Sequence, residues 1–214
     1  INLELKKVNF WLDVKRLSLN VSKTHYLIFT RKAVTQPVID IKIDDVIVNR
    51  VTSTKFLGVI LDSKMTWKEH INAITKKVAK GIGMINKTKD ILNKKTLVTL
   101  YNAFIKPYLT YCNIVWGNAS LTTLSSLLKL QKRIIRIIAD VGFRDHTDVL
   151  FTDLKILDIY KLNFYLTGIM MFKHQHGLLP SIFEDMFATN RSVHSYNTKS
   201  VADRKSTRLN SSHT

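Results

Sequence analysis

The sequence predicts an α+β fold: a small antiparallel β layer with one helix, followed by an α-helical bundle. Apolar residues make up 45% of the 214 residues, which is enough for a core and argues against a disordered chain. Short runs of β-branched and aromatic residues are confined to residues 1–62. From residue 63 onward, apolar residues recur at helical spacing. This change of period separates the two parts.

One helix and four strands are predicted in the N-terminal part. In residues 3–17, Leu5, Val8 and Leu12 follow the i, i+3, i+7 spacing of an amphipathic helix. Four runs then predict strands, at residues 26–30, 39–43, 46–48 and 55–61. Asp44 and Asp45 lie between the second and third runs, so we expect them to form a hairpin turn.

Four apolar stripes predict the helices of the bundle. They cover residues 67–85, 97–109, 124–138 and 154–174. We expect the second to kink or break near Pro107. Thr66 is a suitable N-cap for the first, with Glu69 three residues later completing a capping box. Gly177 and Pro180 end the fourth, and a short final turn is expected at residues 183–187.

The net charge of +17 is unevenly distributed along the chain. Residues 63–140 hold 14 basic and 3 acidic side chains, a net charge of +11, whereas residues 1–62 carry only +4. A contiguous basic block is typical of a surface that binds a polyanion. The alternative is a solvated helical face that keeps the chain soluble, although such faces usually mix both signs.

Nine basic side chains of this block lie off the apolar stripes of its first and third helices: Lys68, Lys76, Lys77, Lys80, Lys87, Lys129, Lys132, Arg133 and Arg136. We expect Lys68, Lys76 and Lys80 to lie near one face of the first helix, opposite its apolar stripe. Lysines one turn apart can follow the phosphates of a duplex without reading its sequence. Aromatic side chains are not interleaved with them, which disfavours a stacking platform for single strands.

Three segments, in this order, resemble one protein family. They are LNVSKT at residues 19–24, TKFLGVILDSKMT at 54–66 followed by Trp67 and His70, and LYNAFIKPYLTYC at 100–112. The set is similar to the reverse transcriptases of non-LTR retrotransposons, in the jockey-like branch of the LINE-type elements. The resemblance covers residues 1–190 and is specific as a linked set, whereas each segment alone is a weak signal.

The resemblance implies a role for each part of the chain. Residues 1–62 would be the end of the polymerase palm, where Lys23 could reach the leaving pyrophosphate and assist phosphoryl transfer. Residues 63–140 would be the basic thumb, and residues 141–190 a C-terminal helical extension. The primer grip would consist of Phe56, Leu57, Gly58 and Val59. Glycine in that strand would let the chain approach a sugar–phosphate closely.

The resemblance also implies partners and metal ions for the full-length enzyme. These are an RNA template, a DNA primer, deoxynucleotides, two magnesium ions and the rest of the polyprotein, namely the upstream palm, the fingers and an endonuclease. No carboxylate set for two-metal catalysis is visible, since Asp40 and Asp62 stand alone and the residues around Asp44 and Asp45 lack the family's motif. We therefore expect a fragment that starts after the catalytic aspartates, holds no metal or cofactor itself and does not polymerise alone.

Other sites and anchors receive little support from the sequence. His174 and His176 have the wrong spacing for a helical metal pair, and Cys112 is a lone cysteine in a predicted apolar helix. No apolar stretch reaches the roughly 18 residues that span a bilayer. We expect an intracellular, reducing compartment. The resemblance alone implies a cytoplasmic ribonucleoprotein and a nuclear integration step.

Residues 191–214 are expected to form a disordered tail. Within it, residues 203–213 (DRKSTRLNSSH) look like the conceptual translation of a sequencing adapter, so we leave their charge out of the functional argument. An ordinary basic tail is the alternative. Two other functions stay open for the chain: a non-catalytic basic helical module that binds nucleic acid, such as a domesticated remnant, and a protein-interaction bundle with a basic surface.

Overall fold

The computed structural model describes residues 1–30, 39–43 and 46–187, apart from the side chains of residues 184 and 185. Its helices are α1 (Asn2–Val14), α2 (Lys68–Thr88), α3 (Lys94–Phe104), α4 (Lys106–Thr110), α5 (Asn113–Trp116), α6 (Leu121–Ala139), α7 (Asp148–Asp153) and α8 (Ile159–Gln175). Its strands are β1 (His25–Tyr26), β2 (Lys42–Ile43), β3 (Val46–Ile47), β4 (Asn49–Arg50), β5 (Ser53–Phe56) and β6 (Val59–Asp62). Short 3₁₀ helices lie at Val21–Lys23 and Ser181–Met186.

The predicted α+β class is confirmed. Helices predominate in the described residues, and the strands pair in small two-stranded sheets. The chain divides into two compact units, Ile1–Ile159 and Tyr160–Thr214. The division into palm, thumb and extension stays a prediction. The predicted turn at residues 44–45 and the predicted tail at residues 191–214 lie outside the described residues.

Helix α1 and strands β1 and β2 contribute to a small apolar core. Ile41, Ile43 and Val48 are buried at its centre, and Leu5 of α1 and Tyr26 of β1 pack against them. Strands β2 and β3 pair antiparallel, as predicted for the hairpin. Strands β1 and β4 instead pair in parallel, with His25 opposite Asn49 and Tyr26 opposite Arg50.

Two predicted strands differ in the structure. The run at residues 26–30 keeps strand pairing only at Tyr26, although the Thr30 amide still donates to the Ser63 carbonyl at 2.9 Å. The single strand predicted at residues 55–61 is wrong, because the run folds back on itself as the antiparallel hairpin β5–β6. Leu57 (φ 45°) and Gly58 (φ 87°) both have left-handed backbone, as a two-residue hairpin turn of the I′ type requires.

The bundle is built on the stripes that periodicity predicted for α2 and α6. All six predicted stripe residues of α2 are at most 7% exposed: Trp67, Ile71, Ile74, Val78, Ile82 and Ile85. In α6 the buried stripe includes Gln131, whose Nε2 donates to the Tyr101 hydroxyl at 3.1 Å and to the Leu157 carbonyl at 3.2 Å. Burial raises the pKa of Tyr101 to about 12, against the opposing effect of the Gln131 bond.

The second and fourth stripes are interrupted. The second breaks at Ile105, because Pro107 has no N–H to continue the helical ladder. The buried positions Leu97, Tyr101, Ile105 and Leu109 are four residues apart. Helical spacing also predicted Phe104 and Tyr108 in the apolar stripe, but both are exposed.

The helix predicted to start at residue 154 begins later, as α8. The chain turns at Lys155, whose φ is 53°, between α7 and α8. Left-handed backbone at a non-glycine residue ends a helix, so periodicity alone placed the start too early. The short turn predicted at residues 183–187 corresponds to the 3₁₀ helix at Ser181–Met186.

Candidate nucleic-acid interface

The solvent side of α2 carries three lysines, Lys76, Lys80 and Lys87, which we call the lysine face. All three are exposed, and helix geometry places them opposite the buried residues Val78 and Ile82. Within the described residues none of the three forms an ion pair. The face is about 16 Å long from Lys76 to Lys87 at the rise of an α-helix. Its charge is therefore open to a polyanion.

Lys68 and Lys77 flank the lysine face and do not belong to it. Each lies about a quarter of a turn around α2 from Lys76. The ammonium group of Lys77 is 5.3 Å from the centroid of the Tyr108 ring, a cation–π contact that directs it toward α4. The predicted common face of Lys68, Lys76 and Lys80 thus holds for the last two only.

The basic residues of α6 form a second group. Lys129 and Arg133 are exposed, whereas Lys132 and Arg136 are half-buried. Arg136 is held in place, because its Nε donates to the Asp145 carbonyl at 2.9 Å and its guanidinium carbon lies 5.8 Å from the Phe143 ring centroid. This arrangement uses part of the hydrogen-bonding capacity of Arg136 inside the protein.

A crevice of about 200 Å³ joins this second group to α2. Arg133 and Arg136 line it together with Lys89. Lys89 is 3.5 Å from the carboxylate of Asp140, and two helices end nearby, with their free carbonyl groups contributing negative potential. Positive charge is therefore partly offset here, and the lysine face is the stronger candidate for phosphate contacts.

The four predicted grip residues form the tip of the β5–β6 hairpin. Phe56 and Leu57 are 61% and 75% exposed, whereas Val59 is buried. Gly58 occupies the turn with a φ of 87°. The structure therefore separates their roles: two apolar side chains face solvent, one anchors the hairpin, and the glycine permits the turn.

Tyr111, which precedes α5, supports this tip. Its hydroxyl donates to the Leu57 carbonyl, and its ring lies against Gly58, where an added Cβ would be 3.4 Å from Tyr111 Cε1. The Tyr111 carbonyl in turn accepts a bond of 2.9 Å from Nε1 of the fully buried Trp116. These contacts attach the turn to the helical part of the molecule.

His70 makes a second connection between the hairpin and α2. The Ile60 amide donates to His70 Nδ1 at 3.3 Å, which requires a neutral ring with its proton on Nε2. Burial, together with the charge of Lys77, lowers the pKa of His70 and so favours this neutral form. The His70 ring also packs edge-to-face with Trp116, at 5.6 Å between centroids.

Asp62 joins the end of β6 to the start of α2. Its carboxylate accepts the amides of Lys64 (3.1 Å), Thr66 (3.0 Å) and Trp67 (2.8 Å). Burial alone would raise the pKa of Asp62, but these amide donors outweigh it and hold the pKa below its usual value. The predicted capping box at Thr66 and Glu69 is wrong, because the left-handed Trp67 (φ 63°) is the N-cap residue and no side chain caps α2. The Asp62 carboxylate instead holds the turn that leads into the helix.

The remaining predicted residues lie apart from these contacts. Lys23 is exposed at the end of a 3₁₀ helix, where its amide donates to the Asn20 side chain at 3.2 Å. Its predicted role stays a prediction. Cys112 is exposed and has left-handed backbone before α5, so its predicted place inside a helix is wrong.

Neither a metal cluster nor a membrane-spanning helix occurs among the described residues. They contain no group of three acidic, His or Cys side chains that could hold a metal ion. None of their helices is long and apolar enough to cross a membrane.

The chain is similar to three polymerases of transposable elements. It is 26% identical over 154 residues to the probable RNA-directed DNA polymerase from transposon X-element of Drosophila melanogaster, which covers 70% of this chain and 17% of that protein. It is 27% identical over 152 residues to the probable RNA-directed DNA polymerase from transposon BS of the same organism, covering 68% and 16%. It is 28% identical over 149 residues to the RNA-directed DNA polymerase from mobile element jockey of Drosophila funebris, again covering 68% and 16%.

These matches agree with the family that the motifs suggested. The chain is similar to the jockey-like RNA-directed DNA polymerases. The resemblance predicted from the three sequence segments is thereby confirmed. The chain spans about a sixth of the length of the curated relatives it matches. No family model and no solved structure matches it.

Three residues that position the site were missed in the sequence. Asp62 stands alone in the sequence, although its place at the change from β to helical period could have indicated an acceptor for the amides of the turn. His70 and Tyr111 stood inside the segments that carry the family resemblance. Their roles depend on contacts 10 and 54 residues away, which local spacing does not reveal.

Proposed function

We propose that this chain is the part of an RNA-directed DNA polymerase that holds the primer–template duplex. The lysine face binds duplex phosphates, and the tip of the β5–β6 hairpin lies at the primer end. The observation that carries the proposal is the lysine face itself: three exposed lysines on the solvent side of one helix. That helix is attached to the hairpin through Asp62 and His70.

The geometry of the lysine face supports a duplex as the ligand. Its length of about 16 Å corresponds to about five base-pair steps along the axis of a B-form duplex, at a rise of about 3.4 Å per step. Lysine presents a point charge on a flexible stem, which suits phosphates in any sequence. A polymerase has to accept every sequence, so contacts of this kind fit its task.

The proposed role of this chain does not include nucleotide transfer. Nucleotide transfer requires carboxylates that position two metal ions around the primer hydroxyl and the incoming phosphate. We propose that other parts of the polyprotein supply them, and that this chain alone does not polymerise. An RNA template and a DNA primer are its proposed partners, in a cytoplasmic ribonucleoprotein and at nuclear integration.

The test compares wild type with the double variant Lys76→Ala, Lys80→Ala. A labelled DNA duplex is titrated at several salt concentrations. Each phosphate contact contributes about −0.9 to the slope of log affinity against log salt on B-form DNA. Loss of two contacts should therefore make the slope shallower by about 1.8 and leave thermal stability nearly unchanged, since both lysines are exposed.

A matched control removes the same charge elsewhere. Lys6 and Lys15 are exposed lysines of α1 and its C-terminal end. The double variant Lys6→Ala, Lys15→Ala should bind the duplex with the slope of the wild type. If both double variants lose the same slope, net charge rather than the lysine face binds the duplex, and the proposed function is wrong in its central residue assignment.

A further inference from the structure

An exposed glycine, Gly83, lies within the lysine face. It is seven residues after Lys76, three after Lys80 and four before Lys87, so it shares their side of α2. A glycine in the interior of an exposed helix makes the helix less stable than an alanine would. A reason for glycine at this position therefore has to be sought in its surroundings.

The fold itself offers no such reason among the described residues. A Cβ built on Gly83 would meet no atom within 4 Å, and the residue has ordinary helical backbone. Gly81, two residues earlier, is different. A Cβ there would lie 3.2 Å from Ile105 Cγ1 and 3.4 Å from the Phe104 carbonyl, so packing of α2 against the α3–α4 junction accounts for that glycine.

We infer that Gly83 is the point where the sugar–phosphate backbone of a bound duplex touches helix α2. Without a Cβ, the helix backbone itself can come within van der Waals distance of a ligand. The three lysines around Gly83 attract a polyanion to this spot. Lysine side chains alone reach phosphates from a distance, whereas the glycine allows the duplex to lie directly on the helix. The inference rests on the proposed function and adds a contact that charge alone does not provide.

The contact makes an unusual prediction for one substitution. Gly83→Ala should raise the thermal stability of the helix and at the same time weaken duplex binding, because the new methyl group occupies the contact. We expect affinity to fall by more than about threefold, beyond the roughly twofold range of ordinary surface substitutions. Gly83→Leu should weaken binding further. The three lysines remain in both variants.

The chain provides a matched control in Gly168 of α8. It is also an exposed helix-interior glycine, and an added Cβ there would meet no atom within 4 Å. Gly168→Ala should raise thermal stability as Gly83→Ala does and leave duplex affinity unchanged. Each variant is titrated into a labelled RNA–DNA hybrid at one salt concentration, and its melting temperature is measured alongside.

The outcomes separate this inference from the proposed function. Weaker binding by Gly83→Ala, with unchanged binding by Gly168→Ala, supports the contact. Unchanged affinity of Gly83→Ala and Gly83→Leu, while Lys76→Ala, Lys80→Ala still lowers the salt slope, overturns the contact and leaves the proposed function standing. An equal loss in Gly168→Ala also overturns it. Duplex binding by wild type that does not respond to salt would instead contradict the proposed function itself.

Discussion

Asp62→Asn tests the joint between the β5–β6 hairpin and α2 most sharply. The carboxylate has two accepting oxygens: one accepts the amides of Lys64 and Thr66, and the other accepts the buried amide of Trp67. Asparagine keeps a single accepting oxygen. Whichever way its amide is turned, at least one backbone N–H of the joint faces an NH₂ group and loses its partner.

The expected cost follows from these bonds. Leaving the Trp67 amide unsatisfied costs about 1–3 kcal/mol, and the two remaining bonds weaken by about 1 kcal/mol each when the charge is lost. We therefore expect the free energy of unfolding to fall by about 3–5 kcal/mol. Asp40→Asn is the control: that carboxylate is exposed and 3.2 Å from Lys42, a surface pair worth about 1 kcal/mol or less.

Urea unfolding followed by tryptophan fluorescence measures both variants. Trp67 and Trp116 are buried near the joint, so the signal reports on this unit. The pKa of Asp62 is below its usual value of 3.8 in the folded state, so its stabilisation is complete above pH 3.8 and is lost as the pH falls through the folded pKa. The gap between wild type and Asp62→Asn should shrink in that acid range. A gap below about 0.5 kcal/mol at neutral pH would refute the role assigned to Asp62.

Three further outcomes are expected. The pKa of His70 is lowered from 6.5 by burial and by Lys77, so the stability that neutral His70 contributes is complete above pH 6.5 and declines as the pH falls below it. His70→Gln should therefore flatten the dependence of the free energy of unfolding on pH, measured by urea titration. An unchanged pH dependence would contradict this role of His70. Tyr111→Phe should speed hydrogen exchange at the hairpin tip, whereas unchanged exchange would show that the Leu57 bond does not hold the turn. The chain alone should not extend a primer on an RNA template with magnesium, and extension above background would contradict the division of labour proposed above.

Apolar periodicity predicted the helices whose buried face follows directly from the spacing of their apolar residues. The stripes of α2 and α6 are examples, since residues three and four apart share a helix face whatever lies opposite. The hairpin at Leu57 and Gly58 was not predicted, because a leucine with left-handed backbone is uncommon and the apolar run from 55 to 61 has the composition of one continuous strand. The buried positions around Ile105 differ from the predicted stripe, because Pro107, two residues later, breaks the helix.

The candidate site was predicted in part. The net charge of residues 63–140 indicated a basic surface, but only the structure separates the lysine face from Lys77, which contacts Tyr108. The contacts of Tyr111 and His70 with the hairpin join residues far apart in the chain. Such contacts depend on how the elements pack, and a single sequence carries no direct signal for them.

Cross-linking to a photoreactive RNA–DNA primer–template tests the central claim most directly. The primer carries its reactive group at the 3′ end in one experiment and along the duplex in another, and the cross-linked peptides are identified by mass spectrometry. We expect the 3′ end to react with the hairpin tip around Phe56 and Leu57, and the duplex with α2 around Lys76, Gly83 and Lys87. Cross-links confined to α1 or to residues 160–187, with none in residues 53–88, would contradict the claim that this surface holds the primer–template duplex.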